Sequence, residues 1–143
     1  MEIIDKMNVL SLFDGISCGQ LALTQLNIPI DNYFASEIDK NAIKVTQNHF
    51  PNTIQLGDIK NSKNWNLPKI DLLIGGSPCQ GFSMQGKRLN FDDPRSKLFF
   101  DYVELKNLLK PKYFFLENVK MKQNSKEIIS KYMGVHSIEL NSN

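Results

Sequence analysis

Residues 7–26 limit the folds open to this chain more than any other stretch. Met7 to Phe13 (MNVLSLF) sets Val9, Leu10, Leu12 and Phe13 in a nearly continuous apolar run, the pattern of a strand covered on both faces. DGISCG follows, Asp14 to Gly19. Gly15 and Gly19 allow the backbone to turn tightly and to come close to a ligand. Cys18, Leu21, Ala22 and Leu26 then recur at helical spacing, which predicts a helix with those side chains inward, ended by Asn27 and Pro29. Strand, glycine turn and helix form the nucleotide-binding opening of a doubly wound fold, although the spacing is not GxGxxG.

The alternation continues along the chain. Tyr33 to Ser36 reads as a second strand ending in Glu37. That acid lies about 20 residues past the glycine turn, where dinucleotide folds place a carboxylate for ribose hydroxyls. Asp39 is suited to cap a helix with Ala42, Ile43 and Phe50 on its apolar face, closed by Pro51. Thr53 to Leu56 is a third short strand, followed by Gly57, Asp58 and Ile59. Asp58 either accepts from the exocyclic amine of a purine or caps a turn. Lys60 to Lys69 reads as polar loop, with Trp65 for packing.

Leu72, Leu73 and Ile74 make a fourth strand, which Gly75 and Gly76 are expected to end before Ser77 and Pro78 turn the chain into Cys79. A thiol just past the carboxyl end of a parallel strand sits where open α/β sheets do their chemistry; the alternative is a small buried hydrophobe. Phe82 to Asp93 is a long polar loop, of the kind that serves as a lid or is disordered. Asp93 and Pro94 then give an N-cap and a first helical position, and Leu98, Tyr102, Leu105 and Leu109 form the buried stripe. Tyr113 to Leu116 is a fifth strand ending in Glu117 and Asn118. Asn124 to Glu127 has the form of a reciprocally capped helix start, with the helix running to about Met133 and stopping at Gly134. Val135 to Leu140 alternates weakly and predicts the start of a sixth strand.

These elements predict one α/β domain over residues 1–143: a Rossmann-like, doubly wound, mostly parallel sheet of about five to six strands in the order 3-2-1-4-5. A formal net charge of +2 names no partner. The late lysines, Lys106, Lys110, Lys112, Lys120, Lys122, Lys126 and Lys131, read as a solvated helix face or a surface for phosphates. Two cysteines make neither a disulfide framework nor a metal cluster, so no metal is expected. Neither a leader nor an apolar run approaching the ~20 residues of a membrane span is visible, and a cytoplasmic location is expected.

In order, LFDGISCG (Leu12 to Gly19), SEID (Ser36 to Asp39), GDI (Gly57 to Ile59), GGSPCQGFS (Gly75 to Ser83), RSKLFF (Arg95 to Phe100) and ENV (Glu117 to Val119) resemble the motifs of the DNA (cytosine-5) methyltransferases. The resemblance covers nearly the whole chain. It implies methyl transfer from S-adenosylmethionine to carbon 5 of a cytosine flipped out of DNA. Cys79 would be the nucleophile that adds to carbon 6, and Glu117 would hold a proton at ring nitrogen 3. By the same resemblance Phe13 stacks near the adenine, and the backbone of Gly15, Ile16, Ser17, Cys18 and Gly19 lines the methionine end. Glu37 takes the ribose hydroxyls and Asp58 the adenine amino group, with Ile38 and Ile59 flanking the ring. Pro78 and Leu98 close the pocket. Gln80, Ser83, Arg88 and Arg95 would meet DNA.

The family's Gln-x-Arg-x-Arg segment, target-recognition domain and returning terminal segment are not found in these residues. This implies either half of a split enzyme, whose second polypeptide supplies base recognition, or a catalytically silent module that binds cofactor or protein. The sheet edge left open is a place for self-association or for that second chain.

Overall fold

The computed structural model describes residues 5–76, 94–118 and 123–141. Five strands, β1 (Met7–Leu12), β2 (Ile30–Ser36), β3 (Ile54–Gln55), β4 (Leu72–Gly76) and β5 (Tyr113–Glu117), form one sheet in the order β3-β2-β1-β4-β5. Every pairing is parallel, so the expected order is the observed one. Helices α1 (Cys18–Gln25), α2 (Lys40–His49), α3 (Pro94–Leu109) and α4 (Gln123–Met133) and a short 3-10 helix, Ile59–Asn64, fill the connections.

Period-two alternation sorts the strand residues onto two faces. Leu10, Leu12, Phe34 and Leu73 join Phe99, Tyr102, Val103 and Leu105 of α3 and Ile129 and Met133 of α4 in the larger core. Val9, Tyr33, Ala35 and Leu72 make a smaller core against Leu23 of α1. Trp65 packs against the larger core, as expected. Asp39 caps α2, its carboxylate accepting from the amides of Asn41 at 2.8 Å and Ala42 at 3.2 Å.

Five details depart from the sequence reading. The expected inward stripe of α1 points outward: Leu21 and Leu26 are 47% and 69% exposed, and Cys18 and Ala22 are exposed with them. The helix turns Gln20 and Leu23 inward instead. Gln20 is tolerated there because its Oε1 accepts from Ser17 at 3.1 Å and Thr53 at 2.9 Å, so a buried amide is hydrogen-bonded rather than stranded. Gly75 and Gly76 end β4 from within it rather than following it: they are its last two residues, paired with Leu116 and Glu117. The loop after Gly57 is partly helical, because Asp58 caps the 3-10 turn through the Lys60 amide at 2.9 Å.

No sixth strand forms from Val135 to Leu140. Those residues have no regular structure, Ile138 and Leu140 are among the most exposed apolar side chains, and Glu139 is ion-paired with Lys126 of α4. A smaller shift concerns α4, which starts at Gln123, so Asn124 lies inside its first turn. The Gln123 side chain, not the expected box, donates to Glu127 at 3.2 Å. No helix among the described residues is long and apolar enough to cross a membrane.

Candidate cofactor and catalytic site

In a doubly wound sheet the ligand crevice opens where the connections diverge, beyond the carboxyl ends of the strands. Here that point lies between β1 and β4. The register sets Leu12 beside Gly75 and Gly76 beside Glu117. The start of the loop after β1, the end of β4 and the acid ending β5 therefore stand side by side at this edge of the sheet.

The loop after β1 is unusual in its backbone. Phe13, Gly15 and Ser17 have φ of 55°, 61° and 68°. Glycine accepts this region freely, but a bulky side chain there costs roughly 1–3 kcal/mol and persists only where neighbours enforce it. The neighbours are visible. The Asp14 amide donates to the Ser36 carbonyl at 3.2 Å, and the Ser17 amide donates to the Asp14 carbonyl at 3.1 Å. The Gly15 amide donates to Glu37 Oε2 at 2.7 Å. Thr46 of α2 donates its hydroxyl to the Gly15 carbonyl at 3.4 Å. A Cβ built on Gly15 meets nothing within 4 Å, so this position is glycine for its φ and faces open space. Gly19 differs: a Cβ there would come 2.7 Å from Ile74 Cδ1, so it serves the packing of α1 on β4.

Glu37 is half-buried at the end of β2. Its Oε1 accepts from the amides of Ile38 at 2.9 Å and Asp39 at 3.1 Å. With the Gly15 bond, three N–H groups fix a carboxylate that offers about four acceptor positions. Ile16 and Ile38, both exposed, border this corner, whereas Ile59 is buried in the larger core. Asp58 is half-buried, with its Oδ1 on the Lys60 amide. Gly57, before it, has φ 78° and its carbonyl accepts from the Ser36 hydroxyl at 2.7 Å. Leu98 is half-buried against the larger core.

Glu117 is exposed, and its Oε2 lies 3.0 Å from where a Cβ on Gly76 would stand. The carboxyl therefore folds back over the end of β4. Cys79, Pro78, Gln80, Ser83 and Arg88 lie outside the described residues, as does the side chain of Arg95.

Two residues that pattern reading passed over anchor the loop from below. Tyr33, buried in the middle of β2, donates its hydroxyl to Asp14 Oδ1 at 2.9 Å. Burial raises the Asp14 carboxyl above its ordinary pKa, and the nearby Glu37 charge adds to this; the hydroxyls of Ser11, Ser17 and Tyr33 oppose it. Burial, and then the Asp14 charge, also raise the Tyr33 phenol, which keeps it a donor. A buried strand tyrosine needs a partner for its hydroxyl; with Asp14 in the adjoining turn, that need is the signal in the sequence.

A five-stranded parallel sheet in this order, with a glycine loop leaving β1 at the switch point, defines the doubly wound α/β class of domain. The model of the family described as C-5 cytosine-specific DNA methylase matches residues 7–134. The Orphan methyltransferase M.SPRI of Bacillus phage SPR is 42% identical over 117 residues, covering 80% of this chain and 27% of that protein. Type II methyltransferase M.HpaII of Haemophilus parainfluenzae is 39% identical over 122 residues, covering 84% and 33%. The structure of the S. pombe Dnmt2 methyltransferase superposes with a TM-score of 0.71 at 26% identity, over 90% of this chain and 40% of that one. The chain belongs to the C-5 cytosine-specific DNA methylase family. It spans about a quarter to a third of the length of these curated relatives.

Proposed function

We propose that this chain carries the cofactor and nucleophile part of a DNA cytosine-5 methyltransferase. The observation that supports it most is the convergence of three strand ends: Leu12 beside Gly75 and Gly76 beside Glu117. A donor site at the end of β1 then adjoins the end of β4, three residues before Cys79 in the sequence, with the Glu117 backbone paired to that same end.

The residues present suit S-adenosylmethionine. The space over Gly15 is open, Glu37 is held rigidly with an acceptor position to spare for a ribose hydroxyl, and Ile16 and Ile38 offer exposed apolar surface beside it. Phe13, the backbone from Gly15 to Gly19, Asp58, Pro78 and Leu98 complete the proposed set; Ile59, expected to flank the ring, is packed in the larger core instead. When bound, S-adenosylmethionine supplies the methyl group.

The chain's own work is to prepare the base. Carbon 5 of cytosine is a poor nucleophile. Addition of the Cys79 thiolate to carbon 6 makes it enamine-like, and Glu117 holds a proton at nitrogen 3 against the charge that builds there. Once carbon 5 carries the methyl group, solvent takes the remaining carbon 5 proton, the 5,6 double bond re-forms and the thiolate is expelled from carbon 6. Gln80, Ser83, Arg88 and Arg95 are proposed to meet DNA. Base recognition and the remainder of the pocket are assigned to polypeptide outside these 143 residues, whether on this chain or a second one.

The test is trapping on duplex DNA containing 5-fluorocytosine in the presence of S-adenosylmethionine and the completing polypeptide. A covalent complex whose protein attachment maps to Cys79, absent in Cys79→Ser, is expected. Trapping that survives Cys79→Ser, or no trapping while the wild-type mixture methylates DNA, overturns the assignment.

A further inference from the structure

We propose that Tyr33 is a positioning residue for the donor site, acting through Asp14 to hold the loop after β1 in its left-handed course. The inference rests on the cofactor reading above and extends it to a residue that touches no ligand.

The juxtaposition is specific. Tyr33 is on β2, four residues before Glu37, with its side chain on the α1 face of the sheet. Its hydroxyl reaches both ends of the loop at once. It donates to Asp14 at 2.9 Å, and it lies 3.5 Å from the position a Cβ on Gly19 would take. Asp14 stands between two residues with positive φ, Phe13 and Gly15. Its own amide and carbonyl are bonded to Ser36 and Ser17, so its carboxylate is the remaining handle by which the sheet can set its orientation. The other carboxylate oxygen is buried with no hydrogen-bond partner. A buried carboxylate depends on its donors, and the Tyr33 hydroxyl, at 2.9 Å, is the one that reaches it from β2, beside the nearby hydroxyls of Ser11 and Ser17. Glu37 grips the same loop from the next backbone amide, so β2 holds two consecutive residues, one by its middle and one by its end.

Three substitutions separate this role from packing. Tyr33→Phe removes only the hydroxyl. Asp14→Ala removes the acceptor, and Asp14→Asn keeps an acceptor oxygen for Tyr33. In ligand-free amide spectra of the 143-residue chain, Tyr33→Phe and Asp14→Ala are expected to move the signals of Gly15, Ile16 and Ser17 while leaving Gly134 in place. In calorimetric titration with S-adenosylmethionine each is expected to weaken binding about ten-fold or more. The double variant should lose no more than either single one, as for partners in one interaction, and Asp14→Asn should stay within about three-fold of wild type, its acceptor being kept.

Unmoved loop signals in Tyr33→Phe, or single losses that add in full, overturn the inference. Should Tyr33→Phe not fold, the contrast between Asp14→Ala and Asp14→Asn decides, and equal losses in both overturn it. Loop signals that move in a chain whose wild type binds no S-adenosylmethionine even with the completing polypeptide present overturn the cofactor reading instead, a result distinct from the others.

Discussion

Tyr102 fills the space that a side chain on Gly75 would need. A Cβ there would stand 3.0 Å from Cε2 of the Tyr102 ring and 3.1 Å from the Leu12 carbonyl. Tyr102 is fully buried, and the Leu12 carbonyl belongs to the neighbouring strand, so neither can step aside. Gly75→Ala is expected to cost about 1–3 kcal/mol, as overpacking does. Gly19→Ala makes a nominally closer contact, 2.7 Å, but with the free end of Ile74. It is expected to cost under about 1 kcal/mol once that side chain takes another rotamer. Urea denaturation of both variants checks the ranking.

The same tyrosine ties two strands together. Its hydroxyl donates to the Phe115 carbonyl at 3.1 Å and is 3.4 Å from the Leu73 carbonyl. Tyr102→Phe keeps the ring and removes the donor, and should lower stability by about 1–2 kcal/mol. Amide exchange in β5 should quicken more than in β1. Equal quickening across the sheet would mean that the hydroxyl has no local role.

Glu37→Gln tests the grip on the loop after β1. Wild-type Glu37 uses one oxygen for Gly15 and the other for Ile38 and Asp39. A carboxamide has a single acceptor oxygen, so one side must set NH2 against N–H. A loss of about 1–2 kcal/mol in stability is expected from the unmatched donors. S-adenosylmethionine binding by calorimetry should weaken as well, and a variant with wild-type stability and affinity would refute this.

Asp14 gives a pH prediction with a definite sign. Its folded pKa is raised above 3.8, chiefly by burial, with the Glu37 charge adding to the effect. The folded chain therefore holds this proton more tightly than the unfolded chain. Stability from this group is fully present below 3.8 and is lost as pH rises through the folded value. Asp14→Asn should match wild type in acid and exceed it at neutral pH. Urea midpoints across a pH series would show the two curves parting as pH rises; curves that part in the opposite direction contradict the reading.

The sheet order was legible because each strand is a short apolar run ending in glycine or acid, and every connection except that between β3 and β4 carries a helical signal. What failed to show was the inward side of α1. Hydrophobic spacing chose Cys18, Leu21, Ala22 and Leu26, but Gln20 is inside because Ser17 and Thr53 supply it with hydrogen bonds. Apolar pattern alone does not report such a partner 33 residues away. The weak alternation of Val135 to Leu140 was likewise insufficient for a strand, since alternation says nothing about whether a backbone neighbour is in reach. At the site, Glu37 and Gly15 were readable from position and residue type, and the structure joins them directly. Tyr33 was hidden because a tyrosine inside a strand looks like core.

The two margins of the sheet are unlike. β3 offers two residues, too few to guide an incoming chain, whereas β5 offers five, with Tyr113 and Phe115 uncovered on one side. Among the described residues β5 is paired only with β4. The hydrogen-bonding backbone on view among the described residues is therefore lopsided, longer on the flank that carries the acid at position 117.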